Sequence, residues 1–509
     1  MTSTICPLIF YLHFYILIFY SINITPYQCH KKMSYEDTTD ISSLSSHPNH
    51  ALQPFFGPVD PTYELQPQTF AELRSWLEQY CRGEKNHGEP NTWDVTLVMD
   101  MSELFKGLET FNAPIDRWDT SNVTNMDNMF EDAISFNQPL DWDTSNVTSM
   151  NNMFWNAGNF NQPLAFNTSR VTDMVGMFQE AYSFNQPLAF DTSNVTDMSG
   201  MFCSATSFNQ PLTFNDTDKV TSMSMMFREA TAFNQPLTFD TSKVETMGYM
   251  FLNATSFNQP LAFDTSQVTS MRMMFEDATS FNQPLMNHAP FDTSQVWTME
   301  RMFRDAHSFN QPLAFDTSQV RDMSMMFRSA TSFNQPIDWN TSQVKYMGSM
   351  FEDATSFNKL LIDWDTSEVI IMERMFKGAV SFNQPLDWEM FDWETSHVTN
   401  MEQMFAGAIA FNQPLTFDVR QVTNMEQMFA GATAMTYPFP SGTFGGPFGP
   451  IFSDDDEEMK ETTEEEADPC EDTSRQLCVV CMTSCVDTVM VPCGHACMCH
   501  GCAKRVKET

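Results

Sequence analysis

The sequence predicts a curved α/β repeat solenoid followed by a small zinc-binding finger, and three observations carry that prediction. One phrase, plainest from Phe184 to Phe202 as FNQPLAFDTSNVTDMSGMF, recurs in copies beginning at Phe111, Phe136, Phe160, Phe184, Phe208, Phe233, Phe257, Phe281, Phe309, Phe333, Phe357, Phe382 and Phe411. The spacing is about 24 residues, inside the range of short solenoid repeats, in which one copy cannot bury its apolar face alone. Within a copy the apolar residues change from a period of two to steps of three and four. After the last copy, cysteines crowd the chain at Cys470, Cys478, Cys481, Cys485, Cys493, Cys497, Cys499 and Cys502.

The chain has 509 residues and a formal net charge of −39. That balance argues against a nucleic-acid partner, because such binding rests on Lys and Arg neutralising phosphates. Hydrophobic content of 42%, with 40 Met and 46 Phe, suffices for a large core, and the repeats supply most of it. One long solenoid therefore fits better than several globules.

Residues 1–32 form a hydrophobic N-terminal segment in which Ile5 to Ile22 (ICPLIFYLHFYILIFYSI) approaches the length of a membrane span, weakened by Pro7 and His13. Three readings stand open. A signal peptide wants a basic n-region, and nothing basic precedes Ile5. A membrane anchor, followed by His30, Lys31 and Lys32, leaves the rest of the chain in the cytosol by the positive-inside rule. A start at Met33 makes the segment a gene-model extension. Residues 33–69 are polar and aperiodic and read as a disordered arm. In residues 70–92, Phe70, Leu73, Trp76 and Leu77 stand at helical spacing, which predicts a helical cap over Phe70 to Cys81 covering the apolar end of the first coil.

Residues 93–436 are the solenoid, with Trp93 to Leu108 a degenerate first copy. Leu188 and Phe190, like Leu140 and Trp142, stand two apart and predict a short strand. Val195, Met198, Met201, Phe202 and Ala205 follow at steps of three and four after Asp191-Thr192-Ser193, a run that can cap a helix, so one or two helical turns are predicted. Phe-Asn-Gln-Pro returns the chain to the next strand because proline keeps the preceding residue out of the helical region. The Met-x-x-Met-Phe residues read as core, since methionine fills irregular gaps. The Asn of each corner reads as a turn residue whose amide satisfies backbone groups between coils. Strands about 4.8 Å apart beside helices about 10 Å wide make the stack curve. Extra residues at Met286 to Ala289 and Glu389 to Asp392 are expected to bulge as loops.

Arg228, Arg304 and Arg328 each follow a Met-Phe pair and so share one line along the stack, with Arg272, Arg301 and Arg321 on nearby turns. Two readings of this stripe stand open. It takes an acidic partner peptide, or the chain's own tail from Asp454 to Glu466, through charge-assisted hydrogen bonds. Alternatively Glu276, Asp305 and Glu352 neutralise it as ordinary surface pairs. Residues 437–469 form a linker, Gly/Pro-rich in Tyr437 to Phe452 and acidic in Ser453 to Asp468, which joins and spaces rather than folds.

In residues 470–509, Cys478-x-x-Cys481, Cys493-Gly-His495 and Cys499-x-x-Cys502 have metal-ligand spacing, because a C-x-x-C loop turns both thiolates onto one tetrahedral Zn2+. A disulfide framework leaves His495 without a role. Free thiolates at zinc fit a reducing compartment. The sequons at Asn122, Asn146 and Asn194 suit secretion, but Asn-Val-Thr is the repeat's own phrase. No Ser-His-Asp arrangement, phosphate loop or catalytic carboxylate pair can be argued from the chain.

Phe-Asn-Gln-Pro-Leu, Asp-Thr-Ser-x-Val-Thr and Met-x-x-Met-Phe, over about Trp93 to Ala434, resemble the BspA-type surface-protein repeats, which are leucine-rich-repeat-like in architecture. That resemblance implies an interaction scaffold that binds a protein partner, with cell-surface adhesion or recognition as its alternative setting. The tail resembles a RING finger through CVVC, VDTVMVPCGH and CMCHGC. The resemblance implies a ubiquitin-ligase-like role: zinc fixes two loops that hold a ubiquitin-conjugating enzyme, and Val480 matches the apolar position that contacts it. It further implies a cross-brace in which Cys478, Cys481, Cys499 and Cys502 complete one site while Cys493 and His495 hold the second. The fourth ligand pair of the family pattern is missing, so the finger is expected to be truncated unless Cys485, Cys497 or His500 substitutes. The expected location is the cytosol, with a membrane anchor through residues 5–22 or the cell surface as alternatives.

Overall fold

The computed structural model describes residues 65–437, apart from 215, 286–290, 362–363 and 389–390. The first element is the expected helix, α1, at Phe70–Cys81, which buries Leu73, Trp76 and Leu77. Thr69 caps it, its Oγ1 accepting from the Glu72 N–H at 3.2 Å, while the Glu72 carboxylate reaches back to the Gln68 N–H at 2.8 Å. The first bond satisfies a donor that a helix start leaves without an intrahelical partner, and the second ties down the residue before the cap.

Coil upon coil then follows, tied by an unbroken series of parallel bridges that steps from Asp100 to Asn125, Ser149 and Asp173 and on to Asn424. The short strand expected at Leu140 and Leu188 is reduced to isolated bridges of a second column, Leu140–Leu164 and Leu188–Leu212. The core matches the repeat phrase. Leu188, Phe190, Val195, Met198, Met201, Phe202, Ala205 and Phe208 are all buried, and Ala189 between the first two faces water. Rings stack along the axis: Phe202 lies 5.7 Å from Phe178 and 5.7 Å from Phe227, and 4.2 Å from Phe208, six residues on, which opens the next copy. Each buried Phe contributes about 1.5–3 kcal/mol by leaving water.

The helical turns expected in each copy are not formed; α1 is the only α-helix among the described residues. The stretch after Val195 is a run of turns whose N–H groups alternate between two destinations. Met201, Cys203 and Ala205 donate to the carbonyls of Met198, Gly200 and Phe202, three residues back. Met198, Gly200, Phe202 and Ser204 donate instead to Ser222, Ser224, Met226 and Arg228 of the next coil. An α-helix would spend those second donors within the coil and leave its neighbour's carbonyls unpaired. Left-handed residues make the turns, at Gly200 (φ 62°) and Ser204 (φ 56°), and at Asn128 and Asp132 in an earlier coil. Positive φ is what a type II turn requires at its third residue. Curvature from helices set beside strands therefore has no basis in these coils, because no wide helical side stands opposite a narrow strand side among the described residues.

Asp191-Thr192-Ser193 likewise starts a turn rather than a helix. Asp191 Oδ1 accepts from the Ser193 N–H at 3.0 Å, and the buried Thr192 hydroxyl donates to the Asp216 carbonyl of the next coil at 3.1 Å. The Asn corners behave as expected: Asn161 Oδ1 accepts from the Asn185 N–H at 2.9 Å and from Gln186 Nε2 at 3.1 Å. The same pair of bonds recurs from Asn112 and Asn137 to Asn383, except at Asn334, which keeps only the bond from the Asn358 N–H because Lys359 replaces the glutamine. The insertion near Glu389 carries a small antiparallel hairpin, β1 (Asp387–Trp388) with β2 (Phe391–Asp392). The one at Met286 to Ala289 lies outside the described residues.

The turn run of the first coil needs a cap of opposite polarity, because the inter-coil N–H groups of these turns point toward the C-terminal side and leave the first run's carbonyls without a donor from a preceding coil. Arg74 of α1 supplies it, donating from Nη1 to the carbonyls of Glu103 (3.3 Å) and Leu104 (2.8 Å) and from Nη2 to that of Lys106 (2.9 Å).

Candidate functional site

The residue after each Met-Phe pair forms a column in which side chains of opposite sign meet across coils. Arg304 Nη1 lies 2.9 Å from Glu276 Oε1, and its Nε lies 3.0 Å from Asp305. Arg328 meets Glu352 at 3.3 Å, and Lys377 meets the same carboxylate from the other side at 3.1 Å. Arg228 pairs with Glu229 at 3.0 Å. Arg272 and Arg301 both reach Glu300, at 2.8 and 3.4 Å. An acidic segment arriving here has to displace a carboxylate already in place.

Burial governs the electrostatics of this column. It pushes the Glu276 carboxyl up to about 7, against the opposing pull of Arg304 and then Arg301. Asp277 and Asp353 are raised for the same first reason. The two described thiols are poor nucleophiles. Cys203 is buried and pushed up to about 11, and burial also raises Cys81. Thiolate chemistry needs the opposite shift.

A different face bears unpaired cations. In most copies the residue after the buried Val is Thr, as in Val195-Thr196, and its N–H and carbonyl continue the ladder. In successive coils that place is held by Trp297, Arg321, Lys345 and Ile370. Arg321 falls here rather than beside Arg328, because it lies seven residues earlier in the coil. Neither Arg321 nor Lys345 has an acidic partner among the described residues. The signal was present in the sequence as Val-Trp-Thr-Met, Val-Arg-Asp-Met and Val-Lys-Tyr-Met where Val-Thr is usual.

The side-chain amides of the Asn-Val-Thr asparagines are occupied. Nδ2 of Asn122, Asn146 and Asn194, the atom a glycan would take, donates to the carbonyls of Thr96 (3.2 Å), Ser121 (2.8 Å) and Ser169 (2.8 Å).

The expected zinc ligands Cys478, Cys481, Cys493, His495, Cys499 and Cys502, with Val480, lie outside the described residues, as does the apolar stretch from Ile5 to Ile22. Among the described residues no group of His, Cys, Asp and Glu is placed to hold a metal. None of the described helices is long and apolar enough to cross a membrane. The donor set in the tail, thiolates with an imidazole, is the set that suits tetrahedral zinc.

Comparison with known proteins gives a family match for each part, a repeat family for the coils and a zinc finger for the tail. Residues 474–509 match the family model "Zinc finger, C3HC4 type (RING finger)", so a RING-type finger, a zinc-binding family, stands at the C-terminal end. The chain is also similar to "Mitochondrial E3 ubiquitin protein ligase 1" of Drosophila melanogaster, 47% identical over 34 residues, 7% of this chain and 10% of that protein. It thus spans about a tenth of that relative's length. The coils are matched in turn over residues 75–189, 164–261, 237–315, 313–391 and 388–441 by one model, described as "Mycoplasma protein of unknown function, DUF285". By those matches, which cover most of its length, the chain belongs to the DUF285 family.

Proposed function

We propose that the protein is a ubiquitin-ligase-like adaptor: the stacked coils bind a protein partner, and the C-terminal finger recruits a ubiquitin-conjugating enzyme. The observation that carries this reading is the pairing of a C3HC4-type finger with a long, rigidly bonded stack lacking an activated nucleophile among its described residues. Zinc, held by Cys478, Cys481, Cys499 and Cys502 in one site and by Cys493 and His495 in the second, supplies structure and performs no chemistry. Val480 meets the conjugating enzyme. The reactive thioester belongs to that enzyme, so the chain's work is to hold two proteins together and raise the effective concentration of the acceptor lysine.

A cytosolic location fits this role. Thiolate ligands persist in a reducing compartment. The test is discharge of a ubiquitin-charged conjugating enzyme by the full chain, with zinc measured on the same sample. Bound zinc with discharge that Cys478→Ser and Val480→Ala both abolish is the expected result. Absence of zinc, or discharge that Cys478→Ser leaves unchanged, overturns the reading.

A further inference from the structure

The ladder face around Trp297 differs from the rest of the stack in what it exposes. Trp297 is 52% exposed and Tyr346 43% exposed. Both stand on backbone fixed by inter-coil bonds: Trp297 N–H to the Thr269 carbonyl at 3.0 Å, Arg321 to Trp297 at 2.9 Å, and Lys345 to Arg321 at 2.9 Å. Coils bonded in this way stand about 4.8 Å apart, so Trp297, Arg321 and Lys345 stand in register over roughly 10 Å, and Tyr346 follows in the adjoining column that bridges Thr298, Asp322 and Tyr346.

The cations are the decisive feature. In a chain of net charge −39, Arg228, Arg272, Arg301, Arg304 and Arg328 all meet carboxylates. Arg321 and Lys345 do not, although Asp322 is the next residue in the chain. Unpaired positive charge beside exposed aromatic surface matches the composition of binding hot spots, where Trp, Tyr and Arg are enriched. A partner's carboxylates gain charge-assisted bonds here without displacing an existing one.

We propose that Trp297, Arg321, Lys345 and Tyr346 form the partner-docking face of the stack, and that its occupant is an extended acidic segment of another protein carrying an aromatic or aliphatic anchor. The anchor covers Trp297 and Tyr346, and the carboxylates pair with Arg321 and Lys345. The chain's own acidic stretch, Ser453 to Asp468, brings charge but offers only Met459 as a large apolar side chain, which leaves the two exposed rings unexplained. The inference rests on the reading that the coils bind a protein partner. Its test needs no conjugating enzyme, so its failure leaves the ubiquitin assay standing and is told apart from failure of that reading.

The probe is a fluorescein-labelled peptide of alternating Glu and Phe, titrated against the full chain by fluorescence anisotropy, with alternating Lys and Phe, and Glu and Ala, as controls. The variants are Trp297→Thr and the pair Arg321→Thr with Lys345→Thr; each installs the residue that most coils carry there, so folding is retained and is checked by thermal unfolding. Loss of affinity of tenfold or more in both variants, and tenfold weaker binding of both control peptides, supports the proposal. A smaller loss in either variant, or comparable binding of either control, overturns it. A full chain whose Asp and Glu residues within 453–468 are changed to Asn and Gln gives the last arm. Affinity unchanged by that neutralisation supports an external partner, and a tenfold rise shows the chain's own tail on the face and overturns it.

Discussion

Changing Asn209 separates the role of its oxygen from every other property of the side chain. Asn209 is half-buried at a corner, and its Oδ1 accepts from the Asn234 N–H at 2.9 Å and from Gln235 Nε2 at 3.1 Å, while its own N–H donates to Asn185 Oδ1 at 3.0 Å. Its Nδ2 donates to none of the described residues. Asn209→Ala leaves a backbone donor without an acceptor and removes one from the Gln235 amide, at a cost of about 1–3 kcal/mol. Asn209→Asp keeps an acceptor facing both donors and is expected to cost less than half as much at neutral pH. Asn209→Leu preserves bulk without an acceptor and should resemble Ala. Urea unfolding gives the three stabilities, and amide exchange at Asn234 reports the bond itself. Equal losses for Ala and Asp, or unchanged exchange at Asn234 in the Ala variant, refute the argument that the acceptor ties the corners together.

Other expectations follow from the same bonding. Phe251 is fully buried, with ring centroids 5.7 Å from Phe227, 5.6 Å from Phe275 and 4.1 Å from Phe257; Phe251→Ala should cost about 3–5 kcal/mol, while the neighbouring, half-buried Leu252→Ala should cost clearly less in the same unfolding assay. Arg74→Met should remove about 1.5–3 kcal/mol and speed amide exchange in α1, since the bonds to the carbonyls of Glu103, Leu104 and Lys106 are lost; an unchanged urea midpoint counts against the carbonyl cap. Glu276 keeps its proton to about 7 in the fold, against a usual 4.5. Its contribution to stability is therefore complete below about 4.5 and lost as pH rises through about 7. Stability measured against Glu276→Gln should fall across that window, and a flat difference removes the claim.

The sequence alone determined which residues lie inside. The alternation Leu188–Ala189–Phe190 and the steps through Val195, Met198, Met201, Phe202 and Ala205 identify the core, since burial follows side-chain chemistry and its order along one coil. It also specified the cap α1, a local helix with a local N-cap, the Asn corners that repeat at one coil's spacing, and a cysteine tail legible as a zinc finger.

Only the tertiary structure decided that the steps of three and four are turns. Successive turns and an α-helix share that spacing, and they differ in where each N–H goes, to the same coil or to the next. That destination depends on a neighbour some 24 residues away, as Phe202 N–H to the Met226 carbonyl shows. The same is true of charge. Arg304 and Arg321 look alike in one dimension, and stacking sets the first against Glu276 while it leaves the second exposed beside Trp297. Pairing is a property of columns, and columns exist only once the coils are bonded.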